Sequence, residues 1–236
     1  MAARDAGHDP AARRARGPAA AIPARAAYAE AATDRIAAEL ARLGGPARQR
    51  LSDVFHQLGD IDRAVYDTVA GVPAPALDTA MRRLSAAADH SKISLSIAGL
   101  LALTGPAGRR SAARGVIAIG VTSALVNIGV KTLSGRRRPD RSAAAVPGRR
   151  HVRMPSSTSF PSGHSASAFA FATAISRDKP WLGLAMQLLA GSVAYSRVHT
   201  GVHYPGDTVA GALLGTATGQ AVNSIADRVL GSRQGT

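Results

Sequence analysis

The stretch GVIAIGVTSALVNIGVKTLSGRRRP, residues 115–139, decides what kind of fold this chain makes. Residues 115–130 carry no charge, so the run approaches the roughly 20 apolar residues that a helix needs to cross a bilayer. Gly, Ala, Ser and Thr recur along it, and these are the residues that let membrane helices approach closely. It then closes abruptly on Lys131, a Ser-Gly pair, three consecutive arginines and Pro139. A long apolar helix delivering a cluster of cations at one end is the reading that the rest of the chain must accommodate.

Working outward, four more segments share this character: ISLSIAGLLALTG (93–105), SASAFAFATAI (165–175), PWLGLAMQLLAGSVAY (180–195) and DTVAGALLGTATGQAVNSIA (207–226). The expected fold class is all-α, an integral membrane bundle of about five to six helices with its active site at one end. The bundle is expected over residues 91–228, with a short tail at 229–236. Before it, DIDRAVYDTVAG and PALDTAMRRLSAAAD read as amphipathic helices within 53–90, too often charged to span a bilayer. Residues 1–52 read as a basic Ala/Arg-rich tail, largely disordered at 1–30 and able to form a polar helix over 31–52.

The chain has 29 Lys+Arg against 15 Asp+Glu, a formal net charge of +14. Nucleic acid, anionic lipid or a phosphorylated substrate could answer that charge. Aromatic residues are 4% of the chain, too few for a base-stacking surface. Cysteine is absent, which excludes disulfides and thiolate metal sites. Basic residues in short connections set orientation, so 106–114 and 177–179 are expected on the cytoplasmic side. The connections 134–160 and 197–206 then share the opposite side. The first of these carries seven Arg and one Asp, against the usual bias, and is read as a functional demand for positive charge.

Three motifs fall on that opposite side. Lys131 and Arg138 end the long helix. Pro161-Ser162-Gly163-His164 opens the next apolar segment. Ser196-Arg197 through His203 to Asp207 bridges the last two. Lys and Arg offer several N–H donors to one volume, and Arg suits phosphate oxygens. Amides around Ser162 and Gly163, at a helix start, favour an anion. No carboxylate cluster is apparent to hold Mg²⁺ or Ca²⁺, and no cofactor or metal is expected. A phosphate monoester or pyrophosphate fits this set. His203 has Asp207 four residues on, and Asp207 reads as a helix N-cap that would hold its carboxylate in place. One imidazole nitrogen held by a carboxylate leaves the other free to attack, and His164 is placed to protonate the leaving oxygen.

Lys-x6-Arg-Pro, Pro-Ser-Gly-His and Ser-Arg-x5-His-x3-Asp together resemble the three-part signature of the type 2 phosphatidic acid phosphatase superfamily. The resemblance covers about residues 90–226. It implies Lys131, Arg138 and Arg197 as phosphate-binding cations and Ser162 and Gly163 as hydrogen-bond donors. It likewise implies His164 as general acid, His203 as nucleophile and Asp207 as its partner. Metal-free hydrolysis on the extracytoplasmic face of the cytoplasmic membrane is the implied activity. Phosphatidic acid, phosphatidylglycerol phosphate and polyprenyl (pyro)phosphates are the substrate classes, and nucleic acid is not a partner. A vanadium haloperoxidase is the alternative enzyme, since the same pocket can hold vanadate. A basic nucleic-acid-binding or membrane-scaffold protein is the non-enzymatic alternative. Membrane members usually have six spans, and the first is not evident here. Off the signature, Arg136 and Arg137 read as solvated or lipid-facing, His199 as structural and His151 as a rim residue, while His56 and His90 carry no assignment.

Overall fold

The computed structural model describes residues 44–232; most of the expected basic tail lies outside the described residues. Among those described there are seven helices and no strand. They are α1 (Gly45–Gly71), α2 (Pro75–Ala87), α3 (Lys92–Ala102), α4 (Pro106–Leu133), α5 (Gly163–Ser176), α6 (Pro180–His199) and α7 (Pro205–Ser232). Pro75, Pro106, Pro180 and Pro205 each open a helix, where the missing N–H costs nothing and the fixed φ is already helical. The helical part begins at Gly45, inside the 1–52 segment read as tail, and α7 runs past 228 to Ser232.

α5 is the central helix. Ala166, Ala170, Phe171, Ala172, Ala174 and Ile175 are all fully buried on it. With 14 residues it is about 21 Å long, short of the ~30 Å hydrocarbon layer, but its neighbours rather than lipid surround it. α4 runs antiparallel to it, pairing Gly115 with Phe171 and Ser123 with Ser167. α6 is antiparallel too, with Gln187 Nε2 donating to Thr173 Oγ1.

α7 runs parallel to α5. Gly211, Gly215 and Gly219 face Ser162, Ala166 and Ala170 in rising order, and Asn223 reaches Thr173 O. A Cβ on Gly215 would lie 2.1 Å from the Ala166 carbonyl oxygen, so the two helices approach as closely as backbones can.

Among the described residues only α4 is long and apolar enough by itself to read as a span, with mean hydropathy 1.7 over 18 residues. α3, α6 and α7 are apolar toward the core and toward the outside alike. Leu100 and Leu103, Leu184 and Leu188, and Val209 and Leu213 stay exposed on the outside of the bundle, up to 82% at Leu103. Large aliphatic side chains left outside a packed core suit hydrocarbon rather than water.

The two ends differ. At one, Arg114 is buried between Asp178, at 3.5 Å, and Asp227, at 2.6 Å, and Arg177 also reaches Asp227. Residues 106–114 are not a connection but the first turns of α4, because Pro106 opens the helix there; they meet the 177–179 connection, as the basic-residue pattern expects. At the other end the 134–160 connection folds over the starts of α5 and α7. Five of its seven arginines are tied down: Arg136 to Asp62 and Asp207, Arg138 and Arg141 to backbone carbonyls, and Arg149 and Arg150 to Asp78. Much of the charge that runs against the orientation rule is thus internal cross-linking.

α1 packs one face, with Asp62, Tyr66 and Ala70, on the site end of the bundle. A second stripe, Leu58, Ile61 and Val65, stays exposed, and Asp60 and Arg63 pair on the polar side.

Candidate active site

The end of α4 widens into a π-helical turn over Leu125–Val130 just before Lys131. Such turns insert an extra residue per turn and re-aim the side chains beyond them. Lys131 Nζ donates to Ser157 Oγ at 3.2 Å and stands close to the start of α5, 3.9 Å from where a Cβ on Gly163 would sit. Arg138 is held by the loop carbonyls of Ser157, Thr158 and Val202, and its Nη1 lies 3.2 Å from His203 Nε2. Burial pushes the Arg138 guanidinium below its usual value without removing its charge. Arg197 is almost fully buried. Its Nη1 donates to Ser85 Oγ at 2.6 Å, and its Nε has no partner among the described residues. An unpaired buried donor on a cation is what an anion-binding cradle provides.

His203 lies between α6 and α7, fully buried. Its Nδ1 is 3.4 Å from Asp207 Oδ2. A carboxylate accepts, so Nδ1 carries the proton. Nε2 faces a guanidinium donor, so Nε2 carries the lone pair. Burial is the main force on this ring and pushes it down to about 4, with Asp207 opposing and Arg138 reinforcing. The imidazole is neutral at physiological pH, in the tautomer that leaves Nε2 nucleophilic.

Asp207 departs from its expected N-cap place. Pro205 starts the helix two residues earlier, so Asp207 is the third helical residue. From there it reaches back to the Tyr204 amide at 2.9 Å, as the acid of a capping box does. It is fully buried and also accepts from Ser159 Oγ and from Arg136 Nη1, the latter at 3.0 Å. The carboxylate is held, as expected, but by four partners rather than by capping alone.

Ser162, expected to offer a free amide to an anion, has that amide occupied. Its amide donates to the Asp207 carbonyl oxygen at 2.9 Å, and its hydroxyl accepts from Ser165 N and Ser165 Oγ. It is the N-cap of α5 and the clasp between α5 and α7. Gly163 opens α5 with an amide that has no carbonyl four residues back inside the helix. His164 follows, its Nε2 2.8 Å from Asp89 Oδ1. Two cavities, of about 320 Å³ and 440 Å³, share His90 and His164 as walls. Lys131, Gly163, Val126 and Ile119 line the first, and Arg153, Ser156, Ser157 and Asp89 the second.

Several residues here escaped the sequence reading. Arg136 is not a solvated or lipid-facing arginine. It bridges Asp207 and Asp62 and lies over the Tyr204 ring, 4.6 Å from its centroid. Asp62 reaches in from α1 and also accepts from the Gly206 amide at 2.6 Å. Ser157, Ser159, Asp89 and His90 complete the surroundings. His199 is structural as read, with Asp78 as its partner, and His151 bonds to the Val146 carbonyl.

Residues 111–229 match the family model of the PAP2 superfamily, half of the chain with all of the later two motifs and the Lys131–Arg138 pair inside it. The chain belongs to the PAP2 superfamily. It is 36% identical over 152 residues to the decaprenylphosphoryl-5-phosphoribose phosphatase of Mycolicibacterium smegmatis, covering 63% of this chain and 77% of that protein. It is 40% identical over 97 residues to the enzyme of the same name from Mycobacterium tuberculosis, covering 41% of this chain and 51% of that protein. The chain thus spans about half the length of that curated relative. Among solved structures, the transmembrane PAP2-type phosphatidylglycerolphosphate phosphatase of Bacillus subtilis shares the fold. Its TM-score is 0.60 at 21% identity, covering 73% of this chain and 88% of that one. The all-helical membrane bundle expected from the apolar segments is therefore the PAP2 arrangement.

Proposed function

We propose that this protein is a membrane phosphatase that removes a phosphoryl group from a lipid phosphate, through a phosphohistidine on His203. The observation that carries the reading is His203 itself: a buried neutral imidazole, Nδ1 against Asp207 and Nε2 facing Arg138. Lys131, Arg138, Arg197 and the Gly163 amide hold the phosphate oxygens. Nε2 attacks phosphorus and forms the P–N bond as the P–O bond to the leaving group breaks. His164 gives its proton to that departing oxygen. Water then attacks phosphorus, His164 takes a proton from it, the P–N bond breaks, and inorganic phosphate leaves. Among the described residues no group of three or more His, Asp or Glu side chains converges as a metal site, so the cations of the cradle carry the charge compensation.

The substrate class is a polyprenyl-linked or glycerolipid phosphate. The mycobacterial relatives are named for a decaprenylphosphoryl sugar phosphate, which supports the polyprenyl class. The protein sits in the cytoplasmic membrane with the site on the outer side. The basic start of α4 and the basic 177–179 connection, which meet at the far end, support that orientation.

The test is phosphate release by the full chain in detergent from phosphatidic acid, phosphatidylglycerol phosphate and a polyprenyl-linked sugar phosphate, with and without EDTA. Release unaffected by EDTA and inhibited competitively by vanadate is expected. No release from any of the three, or release abolished by EDTA and restored by Mg²⁺, overturns the reading.

A further inference from the structure

The two histidines of the site are each bound by an aspartate, and only one of these pairs is written in the motifs. Asp207 lies four residues from His203. Asp89 lies 75 residues before His164, yet its Oδ1 is 2.8 Å from His164 Nε2. Asp89 begins a single 3-10 turn, Asp89–Ser91, wedged between α2 and α3. The next two residues, His90 and Ser91, hold positive φ of 56° and 57°, a left-handed conformation that non-glycine residues adopt at a cost. Packing therefore imposes this kink, and with it the place of the carboxylate.

We propose that Asp89 is a positioning residue for the acid step, the counterpart on His164 of what Asp207 is on His203. The proposal rests on the function assigned above. A carboxylate is only an acceptor, so Nε2 of His164 carries a proton in this pair. His164 Nδ1 has no hydrogen bond among the described residues. The pair thus directs Nδ1 to the substrate: in the imidazolium form, protonated on both nitrogens, Nδ1 delivers its proton to the leaving oxygen, and the neutral ring that remains, still protonated at Nε2, receives one from water at Nδ1. The two rings are held by opposite nitrogens. His203 is held at Nδ1 and acts through Nε2; His164 is held at Nε2 and acts through Nδ1. His203 needs a lone pair, and its carboxylate is outweighed by burial and by Arg138. His164 needs a proton; Arg197 from α6 acts on its charge, and Lys131 from α4 and Arg153 from the connecting loop line the cavities it walls. His90 and His203 are the other titratable neighbours. Burial first, and then the Arg197 charge, favour the neutral ring; Asp89, in direct contact, is the negative group that opposes them and favours the protonated form. Asp89 Oδ1 is also 3.8 Å from Arg197 Nη1, so a purely structural role, neutralising Arg197, is the reading to be beaten.

The experiment compares Asp89→Asn and Asp89→Glu with wild type in detergent, on dioleoyl phosphatidic acid and on p-nitrophenyl phosphate, across pH. An alkoxide leaving group needs a proton and p-nitrophenolate does not. Asp89→Asn should lower kcat on the lipid by roughly 10²-fold, the lower end of positioned acid catalysis, and on the nitrophenyl ester far less. The alkaline limb of the lipid pH profile should move to lower pH, because the acid loses its proton sooner. Asp89→Glu, which keeps the charge, should restore part of the rate and the limb. Equal losses on both substrates with an unmoved limb, or a loss confined to KM, would assign Asp89 to Arg197 and overturn the proposal. A gain in affinity in Asp89→Asn would also overturn it, because Asp89 would then be an internal competitor for the cradle. Failure of wild type to hydrolyse either ester refutes the phosphatase reading instead, so the two failures are distinguishable.

Discussion

Asp78 and Asp207 are two fully buried aspartates, each accepting from arginine and each holding a histidine that ends or follows α6. Around Asp78 the bonding closes on itself. Arg149 Nε and Arg150 Nε donate to its two oxygens, His199 Nε2 sits 2.8 Å from Oδ1, and His199 Nδ1 meets the Tyr195 hydroxyl. Arg150 spends its remaining donors on the carbonyls of Val69, Ala70 and Val72. The Asp78 carboxylate, both His199 nitrogens and the Arg150 guanidinium are all bonded within the cluster, which ties α1, α2 and α6 to the 134–160 connection. Around Asp207 the bonding is open. Its histidine keeps Nε2 directed at a cation that belongs to the cradle. Residue types are the same in both clusters. What separates scaffold from chemistry is what the second imidazole nitrogen meets: a tyrosine hydroxyl inside the cluster at His199, a cation of the cradle at His203.

The sharpest way to break this comparison is to delete each histidine. His203→Ala should reduce turnover by roughly 10⁴-fold or more, the scale of removing a nucleophile from a catalytic unit. It should also abolish trapped phosphoenzyme. His199→Ala should leave turnover close to wild type and lower thermal stability. Comparable kinetic losses from the two variants would erase the distinction. Deleting the carboxylates comes next. Asp207→Asn should lower kcat by roughly 10²–10⁴-fold with phosphate binding little changed, since it removes orientation and not a cradle donor. Asp78→Ala leaves a buried arginine unpaired, which costs about 3–5 kcal/mol of stability. Thermal melts read alongside kcat and KM check both, and a thermally unaffected Asp78→Ala would be incompatible with a closed cluster. The smallest effect is on pH. With His203 pushed down to about 4, the neutral nucleophile is present above that pH and lost as pH falls through it. The acid limb of kcat/KM should lie near 4, and Asp207→Asn should move it lower, because the carboxylate is what holds that value up. A limb left near the ordinary histidine value would mean that the ring is not buried in the working enzyme.

Much of this site was legible in the chain because its parts are local. Lys131 and Arg138 are seven residues apart at a helix end, His164 follows a Gly at a helix start, and His203 and Asp207 are four apart. Asp62, Asp89 and Arg136 were not legible. Asp62 meets Gly206 across 144 residues and Asp89 meets His164 across 75, with no periodicity to announce either contact. Arg136 sat in a run of three arginines, where sequence offers no way to tell the internal one from its neighbours. The cap at Asp207 was misplaced because Pro205, two residues earlier, is the stronger helix opener. The bundle itself was readable from five apolar segments. The short α5 was harder to judge as a span, because its length is set by burial among neighbours rather than by a bilayer.

α5 and α7 lie side by side in the same direction, in contact through Gly211, Gly215 and Gly219, and both begin at the site. Each helix start carries about half a positive charge. Parallel macrodipoles at this separation repel, and Arg138 and Arg197 add to the repulsion. The glycine ladder therefore holds together like poles that electrostatics alone would part. A bound oxyanion is the group that turns this opposition into attraction, so the ligand is also the counter-ion of the scaffold. By mass action, inorganic phosphate or vanadate should raise the free energy of unfolding by RT ln(1 + [L]/Kd). Affinity and rigidity at this end of the bundle are then one thermodynamic quantity, seen once from the ligand and once from the fold.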